Sequence, residues 1–297
     1  MKKANFSMNL VLWLGLICAA PLAAAGGAHV GTSAPFKLVR GHLIITEVVV
    51  NGAGPYEFML DTGANTTLVT PEFARRLGLR PVDRLSLVTV AGTQAVPRAR
   101  LQELTLGPKS VTDLEVLLTD LRQLRALHPA VCGVLGQNFL SHFNVLIDYQ
   151  DRRIEFEEGG EVGSRSAGTR LPFEVHEGRV MVQAQHTSCR GRPLRLVLDS
   201  GTPGLILFET DSRPLGLDMD GRGGQSVQAA TDLGSRPVWQ GRLRKFAVGG
   251  RHFVNLPVAL VPPSGEGREE NGLLPTCLFR SVYINHQERF VIFGRQP

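Results

Sequence analysis

The chain has 297 residues, of which 43% are hydrophobic and 20% are charged, and its formal net charge is +5. These proportions exclude a disordered or fibrous chain and are typical of a globular protein with one large bilobed domain or two smaller ones. Aromatic residues make up only 6% of the chain and no basic run alternates with them, so the sequence predicts no nucleic-acid partner.

The N-terminal segment has the pattern of a signal peptide. Lys2 and Lys3 precede an apolar core at Leu10–Ile17, and Ala23–Ala25 supplies the small residues that a signal peptidase requires. The apolar core is short for a helix that spans a membrane. We therefore expect cleavage after residues 1–25, a periplasmic or secreted protein, and no stable membrane insertion after cleavage.

Two strand-like segments lead to an aspartate in the first half of the chain. Leu43–Val50 alternates imperfectly between apolar and polar residues, and a turn at residues 52–55 separates it from Tyr56–Leu60. The second segment leads directly into the triplet Asp61-Thr62-Gly63. This order predicts a hairpin whose second strand ends at the triplet.

Helical patterns are sparse. Pro71–Leu79 is predicted to be a short helix because Thr70 can cap it and proline is favoured at the first helical position. A second helix is predicted at Leu117–Leu127. Strand and turn patterns dominate the remaining residues, so the sequence predicts a mainly β fold.

The second half of the chain repeats the organisation of the first. Arg179–His186 is strand-like, a turn follows at Cys189–Pro193, and Leu194–Leu198 leads into the triplet Asp199-Ser200-Gly201. An apolar stretch follows each triplet. Each half also ends with a related segment, Gly133–Gly136 in the first and Gly272–Pro275 in the second.

Duplication explains this repetition, and it sets the predicted domain boundaries. We expect a first lobe at residues 36–156 and a second lobe at residues 171–297. Residues 157–170 are rich in glycine, serine and charge, which is typical of a linker.

The two aspartates, which lie 138 residues apart, predict acid–base chemistry. One carboxylate could activate a water molecule while the other protonates or polarises a scissile carbonyl, with one proton shared between them. Glycine allows the backbone to approach a carboxylate closely, as at Gly63 and Gly201. A single Asp-Thr-Gly triplet is usually an ordinary turn, but two of them in duplicated contexts favour a catalytic pair.

With these motifs the chain resembles the aspartic proteases, specifically the retropepsin-like group of bacterial secreted proteins, here as two lobes in one polypeptide. The resemblance implies a bilobed all-β fold with the active site between β-barrel-like lobes. It implies peptide-bond hydrolysis by Asp61 and Asp199, an extended peptide or protein substrate, no cofactor and no metal. Both lobes are present in one chain, so we expect a monomer. The supporting residues of the two aspartate loops would be Thr62, Gly63, Ser200, Gly201 and Thr202.

The resemblance also implies an apolar-apolar-Gly segment behind each aspartate. Val134, Leu135 and Gly136 fill this role in the first lobe. Pro275 occupies the glycine position in the second lobe, where it removes a backbone donor and adds bulk. The second lobe could therefore be rearranged, and a catalytically inactive peptide-binding protein of the cell envelope is the alternative function.

Two hairpin-like segments are candidates for flaps that close over a bound peptide. Their tips are Ala91 and Gly92 in the first lobe and Thr231 and Asp232 in the second. Ordinary hairpins are the alternative interpretation.

The cysteines and histidines do not form a recognisable metal site. Cys132, Cys189 and Cys277 are isolated and odd in number, so they could form at most one intramolecular disulfide. Lipidation of Cys18 is disfavoured because Ile17 precedes it in place of a small residue.

Overall fold

A computed structural model describes most of the chain outside its N-terminus. The predictions for residues 1–25, for most of the linker at 157–170, and for Ala91 and Asp232 concern residues outside the described ranges. The structure describes residues 33–89, 92–157, 168–186, 193–208, 226–231, 234–261 and 269–295.

Strands dominate both halves, and the described helices are short. None of these helices is long and apolar enough to cross a membrane. The first half contains β1 (Ser33–Val39), β2 (Leu43–Val50), β3 (Ala53–Leu60), β4 (Thr67–Val69), β5 (Asp83–Thr89), β6 (Gly92–Leu106), β7 (Lys109–Leu118), β8 (Gly133–Leu135), β9 (Val145–Asp148) and β10 (Arg153–Phe156). The second half contains β11 (Arg170–His176), β12 (Arg179–His186), β13 (Leu194–Asp199), β14 (Leu205–Phe208), β15 (Ser226–Thr231), β16 (Gly234–Val248), β17 (Arg251–Val261), β18 (Gly272–Pro275), β19 (Ser281–Asn285) and β20 (Phe290–Phe293). The helices are α1 (Pro71–Arg76), α2 (Arg122–Leu127), α3 (Gln137–Leu140) and a 3-10 helix at Thr276–Leu278.

In the first half, β8 lies between the strands that flank the first aspartate. It pairs in parallel with β3 and antiparallel with β4. This arrangement requires glycine at position 133, because a Cβ atom there would overlap the carbonyl oxygen of Leu68. The loop that begins at Asp61 therefore connects the two strands on either side of β8.

The second half repeats this pairing. β18 runs parallel to β13 and antiparallel to β14, and a Cβ atom at Gly272 would overlap the carbonyl oxygen of Ile206. The outer pairings repeat as well: β2 with β6 corresponds to β12 with β16, and β4 with β7 corresponds to β14 with β17. The sequence repetition is thus a repetition of topology.

A six-stranded antiparallel sheet joins the halves in the order β1, β10, β9, β19, β20, β11. Three strands come from each half. At its centre Ile147 pairs with Val282 and Leu146 pairs with Tyr283. The two halves are therefore related by a pseudo-twofold axis that passes between β9 and β19.

Each half buries its own apolar core. Phe58, Phe73 and Phe139 lie in the first core. Phe279 and Phe293 stack in the second core, with their ring centroids 4.1 Å apart. Two cores and a shared sheet confirm the predicted bilobed, all-β architecture.

The predicted helices are only partly correct. α1 begins at Pro71, where the Thr70 hydroxyl accepts the Phe73 N–H at 3.2 Å, but it ends at Arg76. The prediction of a helix from Leu117 was wrong, because Leu117 and Leu118 pair with β4 at the end of β7. Helix α2 follows this strand.

Candidate functional site

The paired strands bring each aspartate to an equivalent position. The Asp61 N–H donates to the carbonyl of Leu135 at 3.0 Å, which continues the pairing of β3 with β8. Asp199 ends β13 in register with Pro275 of β18. Both side chains are thereby fixed at the end of a buried strand.

The two triplets meet between the halves, as two close approaches show. A Cβ atom built on Gly63 would lie 2.7 Å from Asp199 Oδ2, and one on Gly201 would lie 3.0 Å from Asp61 Oδ2. Each glycine therefore lies against the aspartate of the opposite half. Any larger residue would push the two carboxyl groups apart.

Each carboxylate also accepts a hydrogen bond from its own triplet. The Gly63 N–H donates to Asp61 Oδ1 at 2.8 Å, and the Gly201 N–H donates to Asp199 Oδ1 at 2.7 Å. These bonds fix the orientation of each carboxyl group and occupy one of its oxygen atoms.

The hydroxyls of Thr62 and Ser200 connect the two loops. Thr62 Oγ1 donates to the Leu198 carbonyl at 2.8 Å and accepts the Ser200 N–H at 3.0 Å. Ser200 Oγ donates to the Leu60 carbonyl at 2.9 Å and accepts the Thr62 N–H at 3.0 Å. Both side chains are fully buried, so water cannot replace these four bonds. Thr202 instead donates within its own loop, to the Gly204 carbonyl at 3.2 Å.

Burial controls the protonation of the pair. Loss of solvation, followed by the nearby charge of Asp61, raises the pKa of Asp199 to about 8, although the N–H groups of Gly201 and Thr202 and the charge of Arg179 act in the opposite direction. Burial also raises the pKa of Asp61. The pair therefore keeps a proton at a pH where an isolated aspartate is ionised.

A polar network supports the first aspartate loop from behind. Val134 and Leu135 are buried in β8, and a Cβ atom at Gly136 would lie 2.8 Å from the carbonyl oxygen of Thr66. The Gly136 N–H donates to Thr67 Oγ1 at 3.2 Å.

Two side chains of α3 complete this network. Gln137 Nε2 donates to the Thr62 carbonyl at 2.9 Å. Asn138 Oδ1 accepts from both the N–H and the hydroxyl of Thr67, at 2.9 and 2.7 Å. The sequence did not single out Gln137, although its position directly after Gly136 in the resemblance motif was a usable signal.

The second aspartate loop has a different support. The strand registers place Pro275 at the position of Gly136, Thr276 at that of Gln137, and Cys277 at that of Asn138. Leu205, the first residue of β14, corresponds to Thr67, the first residue of β4. Proline has no N–H to donate and leucine has no hydroxyl to accept. The second half therefore lacks both the donor and the acceptor of the hydrogen bond between Gly136 and Thr67.

Two cysteines lie in the described ranges, one in each half, and they do not form a disulfide with each other. Cys132 and Cys277 are free, and Cys277 Sγ lies 3.8 Å from the carbonyl oxygens of Thr202 and Pro203. Burial raises the pKa of both thiols. Across the described ranges, no group of three or more His, Cys, Asp or Glu side chains is arranged to hold a metal ion.

The candidate flap residues lie at the ends of two hairpins. Gly92 begins β6 and pairs with Thr89 at the end of β5, while Thr231 ends β15 and pairs with Gly234 at the start of β16. These hairpins are equivalent in topology. The second strand of each, β6 or β16, is one of the two longest strands described.

Comparison with known proteins gives one family match in each half. Residues 46–139 and 184–276 each match the protein family described as aspartyl protease, and these segments contain Asp61 and Asp199 respectively. The chain is also similar to the crystal structure of a retropepsin-like aspartic protease from Rickettsia conorii, at 21% identity and a TM-score of 0.32, over 42% of this chain and 87% of that chain. A search of curated proteins found no match.

Proposed function

Since the chain belongs to the aspartyl protease family, whose unit it contains twice, we propose that it is an aspartic endopeptidase with Asp61 and Asp199 as its catalytic pair. The observation that carries the proposal is the contact of each triplet glycine with the opposite aspartate. Two carboxyl groups held this close share a proton, and the aspartic proteases as a class are the standard example of such a pair.

The proposed reaction is direct attack of water on a peptide carbonyl. The ionised carboxylate takes a proton from a water molecule held between the two side chains, and the protonated carboxyl group donates its proton to the carbonyl oxygen. The tetrahedral intermediate then breaks down as a proton passes to the leaving amine. No covalent bond forms between the enzyme and the substrate.

The pKa of Asp199 indicates the pH range of this reaction. The mechanism needs one proton on the pair, and that proton is lost as the pH rises through about 8. Activity should therefore fall above that pH. It should also fall at low pH, where the second carboxylate becomes protonated and can no longer accept a proton from water.

An extended peptide is the proposed substrate class. The hairpins of β5 with β6 and of β15 with β16 have the topology of flaps, and a strand edge can hydrogen-bond the backbone of an extended peptide. Closure of a flap would also exclude water from the developing charge.

The variants Asp61→Asn and Asp199→Asn test the proposed function. Each should lower the rate of cleavage of a peptide library by about 100- to 10,000-fold, because an amide can neither accept the proton of water nor replace the shared proton. Mass spectrometry of the products measures cleavage, and circular dichroism checks folding.

Asp113→Asn is the matched control. Asp113 is an exposed aspartate in β7 with a positive φ of 53°, a conformation that asparagine tolerates. This variant should cleave like the parent. If Asp199→Asn cleaves at a rate comparable with the parent, the catalytic pair is wrongly assigned.

A catalytically inactive peptide-binding protein is the second candidate function. Pro275 and the altered support of the second loop favour it, because a small displacement of Asp199 would stop catalysis while leaving a cleft. A parent protein that binds library peptides without cleaving them would establish this alternative.

A further inference from the structure

Tyr149 contributes a contact from the first half to the support of the second aspartate loop. Its hydroxyl lies 2.5 Å from Thr276 Oγ1, and Thr276 is fully buried. Thr276 directly follows Pro275, which is paired with Asp199. A hydrogen bond at Thr276 therefore restrains the strand end against which Asp199 lies.

The position of Tyr149 is itself well fixed. The residue follows β9 in the sheet that joins the halves, and its N–H donates to the Arg280 carbonyl at 2.8 Å. Its ring packs edge-on against Phe36, with the centroids 6.0 Å apart. The hydroxyl can therefore act as a rigid contact between the halves.

The equivalent contact is missing on the other side of the pseudo-twofold axis. His286 occupies the position of Tyr149 and packs edge-on against Phe173 at 5.9 Å, as Tyr149 does against Phe36. Yet His286 Nε2 and Gln137 Oε1 are both buried without a hydrogen-bond partner in the described part of the chain. The tyrosine contact therefore belongs to the second aspartate loop alone.

This one-sided contact occurs where the second loop lacks polar support. The first loop has the hydrogen bonds of Gly136, Gln137 and Asn138, whereas proline, threonine and cysteine occupy these positions in the second. Thr276 is too short to reach the Ser200 carbonyl as Gln137 reaches that of Thr62. The hydroxyl of Thr276 instead forms a hydrogen bond with Tyr149.

We propose that Tyr149 is a positioning residue for Asp199, and this inference rests on the proposed function. By holding Thr276, the hydroxyl keeps the second aspartate at the distance from Asp61 at which the two share a proton. The geometry of the second lobe's aspartate thereby depends on a side chain of the first lobe.

Burial and the charged groups near Asp199 set its pKa, and this pKa determines the pH profile of activity. Asp61 raises its pKa and Arg179 lowers it. Burial raises the pKa of Tyr149, the hydrogen bond with Thr276 acts in the opposite direction, and Cys277 and both aspartates raise the pKa further, so the hydroxyl stays protonated. A small movement of Asp199 relative to Asp61 should therefore shift the pH profile without any change in the charge of Tyr149.

The variant Tyr149→Phe tests the inference, because it removes the hydroxyl and keeps the ring against Phe36. We expect kcat to fall on the order of tenfold, with KM nearly unchanged, and the limb of the kcat–pH profile near pH 8 to shift. Thr276→Val should have the same effect. The double variant should lose little more than either single variant, since both remove one hydrogen bond.

Tyr283→Phe is the matched control. Tyr283 is a buried tyrosine of the same sheet, and its hydroxyl donates to Glu157 Oε2 at 2.6 Å. Its loss should lower stability but leave kcat and the pH profile unchanged. If Tyr149→Phe and Tyr283→Phe change kcat equally, or if the double variant loses the product of the two single effects, Tyr149 is not a positioning residue.

A second measurement separates failure of this inference from failure of the proposed function. The titration of the Asp199 carboxyl carbon, followed by NMR of the full chain, needs no substrate. In Tyr149→Phe this titration should shift relative to the parent. An unchanged titration would overturn the inference, whereas a parent that cleaves no peptide would overturn only the proposed function.

Discussion

The free energy of unfolding should depend on pH through the buried pair. The pKa of Asp199 is about 8 in the folded protein, against a value of 3.8 for an unperturbed aspartate. Between these values the folded state holds more protons at Asp199 than the unfolded state, so the contribution of this carboxyl group to stability is largest at low pH and decreases as the pH rises from about 4 to about 8.

Asp199→Asn should flatten this pH dependence. Asparagine is neutral at every pH, so near pH 8 the variant should melt a few degrees higher than the parent, although it is inactive. Melting temperatures measured by circular dichroism across this range test the prediction. Asp113→Asn should follow the parent curve. An Asp199→Asn variant with the same pH dependence as the parent would contradict the raised pKa.

At the residue scale, the sequence contains more information on the aspartates than on their surroundings. Asp61 and Asp199 occur in repeated local motifs, and it is this repetition that predicts them as a pair. Tyr149 and Gln137 have no such motif, and their roles depend on which strands meet across the pseudo-twofold axis. Contacts between residues distant in sequence are not visible in a local pattern.

At the element scale, two glycines allow the crossing of β8 and β18 between their neighbours. Gly272→Ala should lower the free energy of unfolding by about 3 kcal/mol, because the new methyl group would overlap the backbone of Ile206. Gly204→Ala is the control, since no atom lies within 4 Å of a Cβ atom there. Urea unfolding measures both variants. Equal losses at the two positions would show that the β18 crossing is not tightly packed.

The elements differ in how well the sequence predicted them. β2 was predicted with its observed bounds, because one face is buried and the other is partly exposed. Leu117 and Leu118 were assigned to a helix because a short apolar run fits either structure. Only their pairing with β4 establishes them as a strand.

At the scale of the whole molecule, a single chain should be the active unit. Both aspartate loops and all six strands of the joining sheet belong to one polypeptide, so no partner is needed to complete the site. The specific activity should stay constant on dilution, and sedimentation of active material should give the mass of a monomer. Activity that disappears on dilution, or occurs only in a dimeric fraction, would contradict this prediction.

The joining sheet also has a consequence for the synthesis of the chain. β9 is made with the first lobe, but its central partner, β19, lies near the C-terminus. Until the ribosome has completed β19, the nascent first lobe has an apolar strand with an unpaired edge, which is a template for association with other chains. Association with other chains should therefore be most favoured in the interval between completion of the first half and completion of the second.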